Sequence, residues 1–288
     1  MPKISIIGCG RLGKTIGRLL TSLPEVTILD VYNRSIEKAT DSVSFIGAGK
    51  PVAKLSDLSI PDIFFITTSD GVLAQVTSEL LHTINLGSAR PSFVHFSGSR
   101  SSSVLEEAVK RQLPTASLHP IKSFADPEKS AHTFSGTFCA LDGTDTTLKQ
   151  LIASLFQALG GEVFEIDSDK KALYHTANVI CCNYLVTLFQ ASLVCFKGAG
   201  VEEELASRIL ANLMSGTISN LKSIPPANAL TGPLERGDEE TLEKHLEALK
   251  EHCDLLGLYK TLGINTLPLT KHDEQKKTAL RDMLRPRL

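Results

Sequence analysis

The stretch Lys3–Leu20, KISIIGCGRLGKTIGRLL, decides the architecture. Ile4, Ile6 and Ile7 crowd its first five residues, the composition of a short strand buried in a sheet. Gly8-Cys9-Gly10-Arg11-Leu12-Gly13 then breaks the run, and apolar residues resume at helical spacing through Ile16, Leu19 and Leu20. This is G-x-G-x-x-G between a strand and a helix, the context in which the motif carries meaning. The first glycine permits a tight turn, the second lets a pyrophosphate approach the backbone, and the third lets helix pack on strand. Free N–H groups at the helix start face the phosphates. Gly8, Gly10, Arg11, Leu12 and Gly13 are therefore expected to hold a dinucleotide.

Strand and helix patterns alternate onward from this unit. VTILDVY, PVAKL, DIFFITTSD, SFVHFSG and TASLHP read as strands two to six, with DGVLAQVTSELLHTI and SSVLEEAVKRQL among the helices between them. GTFCALDG, a helix over LKQLIASLFQALG, and EVFEID continue the series. Such alternation implies a doubly wound parallel sheet. After Asp167 the strands stop. Residues 168–199 form one long helical run, followed by helices over 201–222, 238–262 and 271–284. The expected division is an α/β domain over 1–167 and an all-helical domain over 168–288.

Ligands in such sheets lie outside the carboxyl ends of the strands. At the end of the second strand the chain reads Tyr32-Asn33-Arg34-Ser35, with Asp30 set back inside the strand. An acidic residue at this tip would hold a ribose 2′-hydroxyl. A guanidinium with neighbouring amide and hydroxyl groups suits a 2′-phosphate instead. Asn33, Arg34 and Ser35 thus favour NADP over NAD, although Arg34 also fits a solvated turn. Thr67, Thr68 and Asp70 end the fourth strand and Ser97-Gly98 the fifth, so they should border the cofactor. His119, ending the sixth, should lie near the nicotinamide. Each of these also suits ordinary turn chemistry.

Composition narrows the classes of function. Thirty basic residues stand against 32 acidic ones, a net charge of −2, which argues against a nucleic-acid binder. No Cys/His group has zinc spacing, so no metal is expected, and the six cysteines read as reduced packing residues. The start of the chain enters a strand without a signal pattern, and no segment is expected to approach the ~20 apolar residues of a membrane span. A cytoplasmic protein acting on a small molecule, without membrane partners, is the expectation.

The long helix carries polar groups in LYHTANVICCN, residues 173–183. At about 100° per residue, Lys171, His175, Asn178 and Cys182 fall within about 60° of one another. Val186, Phe189, Leu193 and Phe196 continue that stripe as a packing face. A core histidine satisfied by its own helix is the plain explanation. Placed where the helix leaves a nucleotide domain, His175 could instead exchange a proton with a carbonyl or imine as hydride moves, and Asn178 could orient the reacting atom. Asn183, about 80° away, is a further candidate beside His119. In ALTGPLERGD (229–238), Thr231 and Arg236 could grip a substrate carboxylate, or the loop could simply cap a helix through Asp238. Lys122 in HPIKSF is a candidate for an anionic substrate.

Taken in order, GCGRLG, NRS, HFSG, LHPIKSFAD, YHTAN and ALTGPLERGD resemble a family of Rossmann-like proteins. Its helical C-terminal half bears only a domain-of-unknown-function label, and its members are usually described as NADP-dependent oxidoreductases. The layout is similar to pyrroline-5-carboxylate reductase, ketopantoate reductase and the β-hydroxyacid dehydrogenases. The last group includes 6-phosphogluconate dehydrogenase, whose helical C-terminal domain the second half resembles. This resemblance implies NADP in the first domain and a homodimer built through the second. It implies no substrate; the leading expectation is hydride transfer to or from a carbonyl or imine carbon of a small, anionic metabolite. The alternative is a non-enzymatic NADP-binding redox sensor or scaffold dimer. One departure stands out: β-hydroxyacid dehydrogenases carry a Lys on the long helix with Asn four residues later. If HTANV occupies that place, His175 replaces the Lys and Val179 the Asn, and Lys171 lies one turn too early.

Overall fold

Alternate residues of each central strand enter opposite cores, and this builds the layers. The computed structural model describes residues 1–285. Its first half contains an eight-stranded sheet: β1 (Lys3–Ile7), β2 (Thr27–Tyr32), β3 (Lys50–Val52), β4 (Ile63–Ile66), β5 (Ser92–His95), β6 (Thr115–Pro120), β7 (Phe138–Gly143) and β8 (Glu162–Glu165). The spatial order is β3-β2-β1-β4-β5-β6-β7-β8. Ile4 and Ile6, Ile63 and Phe65, and Val94 and Phe96 pack on one face. Ile7, Phe64, Ile66 and Phe93 pack on the other. Both faces are covered by helices: α1 (Arg11–Leu20), α2 (Ile36–Ile46) and α6 (Thr146–Ala158) on one side, α3 (Leu73–Thr83) and α4 (Glu106–Lys110) on the other. With apolar side chains buried in both layers, these strands read as continuous hydrophobic runs.

The doubly wound sheet is as expected, with one difference of direction. β7 runs antiparallel to β6, pairing Ser117 with Asp142 and His119 with Ala140, whereas the other pairs are parallel. The short α5 (Pro127–His132), capped by Asp126, returns the chain to the same edge of the sheet and so reverses β7. Directly opposite residues of an antiparallel pair share a face, so Asp142 and Ser117 lie side by side.

The second half is helical. Ser168–Lys170, α7 (Lys171–Asn178), a π-helical turn (Val179–Asn183) and α8 (Tyr184–Gly198) form one continuous run. Then come α9 (Glu203–Leu221), α10 (Pro226–Ala229), α11 (Pro233–Arg236), α12 (Glu239–Ala248), α13 (Cys253–Thr266) and α14 (Glu274–Leu284). The helix expected over 238–262 is therefore two, α12 and α13, separated by a turn that no glycine or proline marks. Packing divides the chain into units Met1–Cys181 and Cys182–Leu288, so the first turns of the long run belong with the sheet. In the second unit, Leu193, Ala206 and Leu210 join α8 to α9, while Leu242, Leu267 and Leu280 join α12, α14 and the turn after α13.

The run Ser168–Gly198 also corrects an expectation. Its 31 residues are long and apolar enough, by length and composition, to cross a membrane. Leu173 is 75% exposed and Val186 69%. The expected packing face is only partly formed: Phe189, Leu193 and Phe196 meet α9, but Val186 does not. The cysteines are all free, yet only Cys9 and Cys139 are buried; Cys181, Cys182, Cys195 and Cys253 are exposed, contrary to the expected packing role.

Candidate active site

The glycine turn sits at the carboxyl end of β1, where the strand order changes direction between β1 and β4. Gly8 has φ +81°, and a β-carbon there would lie 2.2 Å from Thr68 Cγ2. A β-carbon on Gly13 would lie 2.5 Å from Thr67 Oγ1, whereas at Gly10 it would meet nothing within 4 Å. The turn is closed beneath and open above. Gly10 offers α1 no side-chain cap, so the first N–H groups of the helix, on Arg11, Leu12 and Gly13, keep no partner among the described residues. Beside them, Thr68 Oγ1 is buried without a hydrogen-bond partner among the described residues. An open cradle, free amides and an orphaned hydroxyl are the features a pyrophosphate would satisfy, so these residues fit a dinucleotide.

At the tip of β2 the three candidates separate. Asn33 Nδ2 points inward to Cys9 O (3.4 Å), Lys38 O (3.3 Å) and Ser42 Oγ (3.2 Å), tying the strand tip to the glycine turn. Ser35 caps α2, accepting from Lys38 N at 3.4 Å, and its hydroxyl donates to Glu37. That bond holds the Glu37 carboxyl below its ordinary range. Arg34 alone remains exposed, and among the described residues it makes no hydrogen bond or ion pair. Asp30 is buried in β2 and accepts from Ser59 N at 2.7 Å, so it is not free for a ribose.

The loop after β5 is held from several sides. Ser97 Oγ donates to Asp70 Oδ2 at 2.6 Å and accepts from the amides of Ser99 (3.2 Å) and Arg100 (3.0 Å). Ser99 Oγ also donates to Asp70, at 2.9 Å. Buried His95 accepts from Ser97 N through Nδ1 at 3.2 Å, so its Nε2–H donates to Ser101 O at 3.0 Å. Burial first, then the Lys171 charge, lowers the His95 pKa to about 4. The carboxylate of Asp70 thus shapes the loop that presents Gly98.

Gly98 is the meeting point of the site. A β-carbon on it would lie 2.5 Å from His175 Cδ2 and 2.8 Å from His119 Cε1. The two imidazoles pack edge to face with centroids 5.9 Å apart. His119 Nδ1 is 2.8 Å from the Tyr174 hydroxyl. Burial, then His175 and Lys171, lowers the His119 pKa to about 4, while burial pushes the Tyr174 phenol up to about 12. Both groups are neutral at physiological pH. With Tyr174 donating to Nδ1, the Nε2–H of His119 is directed toward Gly98.

Of the remaining candidates, Asn178 is half-buried and donates to Tyr174 O at 3.3 Å, within its own helix. Asn183 is exposed in the second unit. Lys122 Nζ donates to Thr133 O at 2.9 Å, closing its own loop. Thr231 and Arg236 are exposed in the second unit, and Asp238 caps α12 through Thr241 N at 3.0 Å. Thr231 there borders a largely apolar cleft of about 360 Å³, also lined by Leu234, His245 and Tyr259. Sequence reasoning missed Tyr174, Ser117, His95 and Asp142. The available signal for Asp142 was a single carboxylate inside the apolar run FCALDG.

Similarity to known proteins agrees with this geometry at the level of fold. No curated protein matches the chain. A Bacteroides fragilis structure assigned as an NADP oxidoreductase superposes with TM-score 0.77 at 18% identity, over 93% of this chain and 98% of the other. A Thermotoga maritima protein superposes with TM-score 0.70 at 26% identity, over 96% and 99%. The Plasmodium falciparum pyrroline carboxylate reductase with NADP bound gives TM-score 0.61 at 13% identity, over 99% and 98%. Residues 137–266 match the profile of a domain of unknown function, DUF2520. The fold is Rossmann-like, and the DUF2520 match begins in the sheet at β7 and runs into the helical C-terminal region.

Proposed function

We propose that this protein is an NADP-dependent oxidoreductase acting on a carbonyl or imine carbon of a small metabolite. One observation carries the reading: two imidazoles close on Gly98 at the carboxyl edge of a sheet whose first strand ends in an open glycine cradle. Gly8, Gly10, Arg11, Leu12 and Gly13 would hold the pyrophosphate, and the unengaged Arg34 a 2′-phosphate. The nicotinamide supplies or accepts a hydride when bound. The chain's own part is to handle the proton and to order the reacting group. His175 donates or accepts that proton, and neutral His119, oriented by Tyr174, offers a hydrogen bond to the same atom.

The proposed assembly is a homodimer through the helical unit. Within that unit Tyr184, Val186, Leu205 and Leu213 leave large apolar side chains exposed along α8 and α9. A second copy would cover them at the scale of about 800 Å² per partner. Six free cysteines suit a reducing compartment such as the cytosol.

The test is loss of NADPH absorbance with a panel of keto acids, aldehydes and cyclic imines. Turnover that falls about a hundredfold in His175→Ala is the expected result. Full turnover in that variant removes the proton role. Tight NADPH binding with no turnover across the panel points instead to a cofactor-binding sensor.

A further inference from the structure

We infer that Lys171 is a positioning residue: its buried ammonium gathers the ends of β5, β6 and β7 and sets the register at which α7 presents His175 to Gly98 and His119. The polar stripe of the helix, read alone, only puts Lys171 on the same face as His175. The structure gives it a task. Lys171 is 1% exposed. Its Nζ donates to Ser97 O at 3.2 Å and to the Ser117 hydroxyl, and faces Asp142 Oδ2 at 2.8 Å. Among the described residues, no hydrogen-bond donor other than this ammonium faces that buried oxygen. Asp142 Oδ1 accepts from Ser102 N at 2.8 Å and from Ser168 Oγ at 3.4 Å. One carboxylate therefore ties the start of the long helix to the far end of the loop that carries Gly98.

Register follows from two repeat lengths. Four helical residues advance about 6.0 Å and two strand residues about 6.6 Å. Lys171 over Ser117 therefore places His175, one turn on, over His119, two residues along β6. Tyr174, next to His175, reaches His119 Nδ1 in the same turn. A substrate anion would find this ammonium already engaged: Asp142 pairs it, Ser97 and Ser117 accept its protons, and the helix covers it. His95 from β5, His119 from β6, Asp142 from β7 and Asp70 after β4 are the titratable groups that face it.

The inference rests on the reading of Gly98 and the two histidines as the reacting wall, but neither of its measurements needs a substrate. In the native full-length chain, a water-soluble acylating reagent followed by peptide mass mapping compares Lys171 with its exposed neighbour Lys170. Lys171 is expected to react at least about tenfold more slowly, because its side chain is buried out of reach of the reagent and its ammonium is paired with Asp142. Comparable rates at the two lysines overturn the inference. Second, Lys171→Met combined with Asp142→Asn removes both charges at nearly constant volume. In the folded variant, the nuclear Overhauser contact between His175 Hδ2 and the Gly98 α-protons is expected to disappear. The His119 titration midpoint is expected to rise as its cationic neighbour is lost. An unchanged contact in a folded variant overturns the clamp. If the variant does not fold, the acylation result on the native chain decides. Failure of every compound in the NADPH panel would leave both measurements standing, so the two readings fail separately.

Discussion

Gly98 has no room for a side chain. Alanine there would set a methyl group 2.5 Å from His175 Cδ2 and 2.8 Å from His119 Cε1, both on half-buried rings. Gly98→Ala is expected to cost about 1–3 kcal/mol in a denaturant titration, the range for overpacking. On the proposed reaction it should also cost turnover, because moving either ring by about an ångström would spoil the alignment of proton and hydride steps. The same neighbourhood makes the protein acid-sensitive. Folded His95 and His119 have pKa values near 4, below the unfolded value near 6.5. Between these pH values the unfolded chain binds more protons than the folded one, so stability falls as pH drops from about 6.5 toward about 4. Above pH 6.5 these two groups contribute no slope. Thermal melts from pH 7 to pH 4.5 check this, and a flat Tm through that window would show that neither ring is held neutral. The buried thiols of Cys9 and Cys139, pushed up to about 11 and about 12, stay protonated throughout.

Elements bring their own argument. The antiparallel direction of β7 puts Asp142 beside Ser117, and the first turn of α7 places Lys171 over both. A buried ion pair adds little beyond an apolar replacement, but removing one member strands the other charge. Asp142→Ala is expected to destabilise the first unit by about 3–5 kcal/mol, as measured by urea unfolding, and the charge-free pair Lys171→Met/Asp142→Asn by clearly less. Equal losses would mean that packing, not charge pairing, dominates there. At the other end of the sheet, Arg34 follows β2 with no hydrogen-bond or ion-pair partner among the described residues. Arg34→Gln is expected to weaken NADPH binding about tenfold and NADH binding little, since only NADPH carries the 2′-phosphate. Equal weakening of both would locate the guanidinium away from the ribose. The central strands were legible because each is a run of apolar residues packed between two layers, whereas the edge strands β3 and β8, more exposed, stood out by the alternation of strand and helix around them. The reversal of β7 was not legible, since no local pattern distinguishes the direction in which a buried strand pairs. The break between α12 and α13 escaped for a similar reason: EALKEHCDLL keeps good helix formers through the turn.

For the molecule as a whole, the second unit leaves a large apolar surface that its own small clusters do not cover. Leu205, Leu213 and Val186 stand out among residues that a monomer in water would keep polar. Sedimentation velocity at micromolar concentration should show a dimer, and Val186→Glu should shift it toward monomer by placing a charge in the covered surface. A wild-type chain that sediments as a monomer would sink the proposed assembly. The long apolar helix raises the same question in another form. A membrane or a second copy could satisfy its composition equally, and soluble dimeric behaviour without detergent would separate the two.

The amino-acid sequence alone determined the strands, the glycine turn and the strand ends that border it. Those features depend on local runs and on short spacings along one chain. It also placed Lys171, His175 and Asn178 on one stripe, because helical periodicity depends only on position. Tertiary structure decided what each of them does. Lys171 is drawn to Asp142, 29 positions back in the chain, and His175 is left facing Gly98. Asn178 turns back on its own helix. The cost of an unpaired buried charge fixes such assignments, and that cost exists only once distant strands have been brought together.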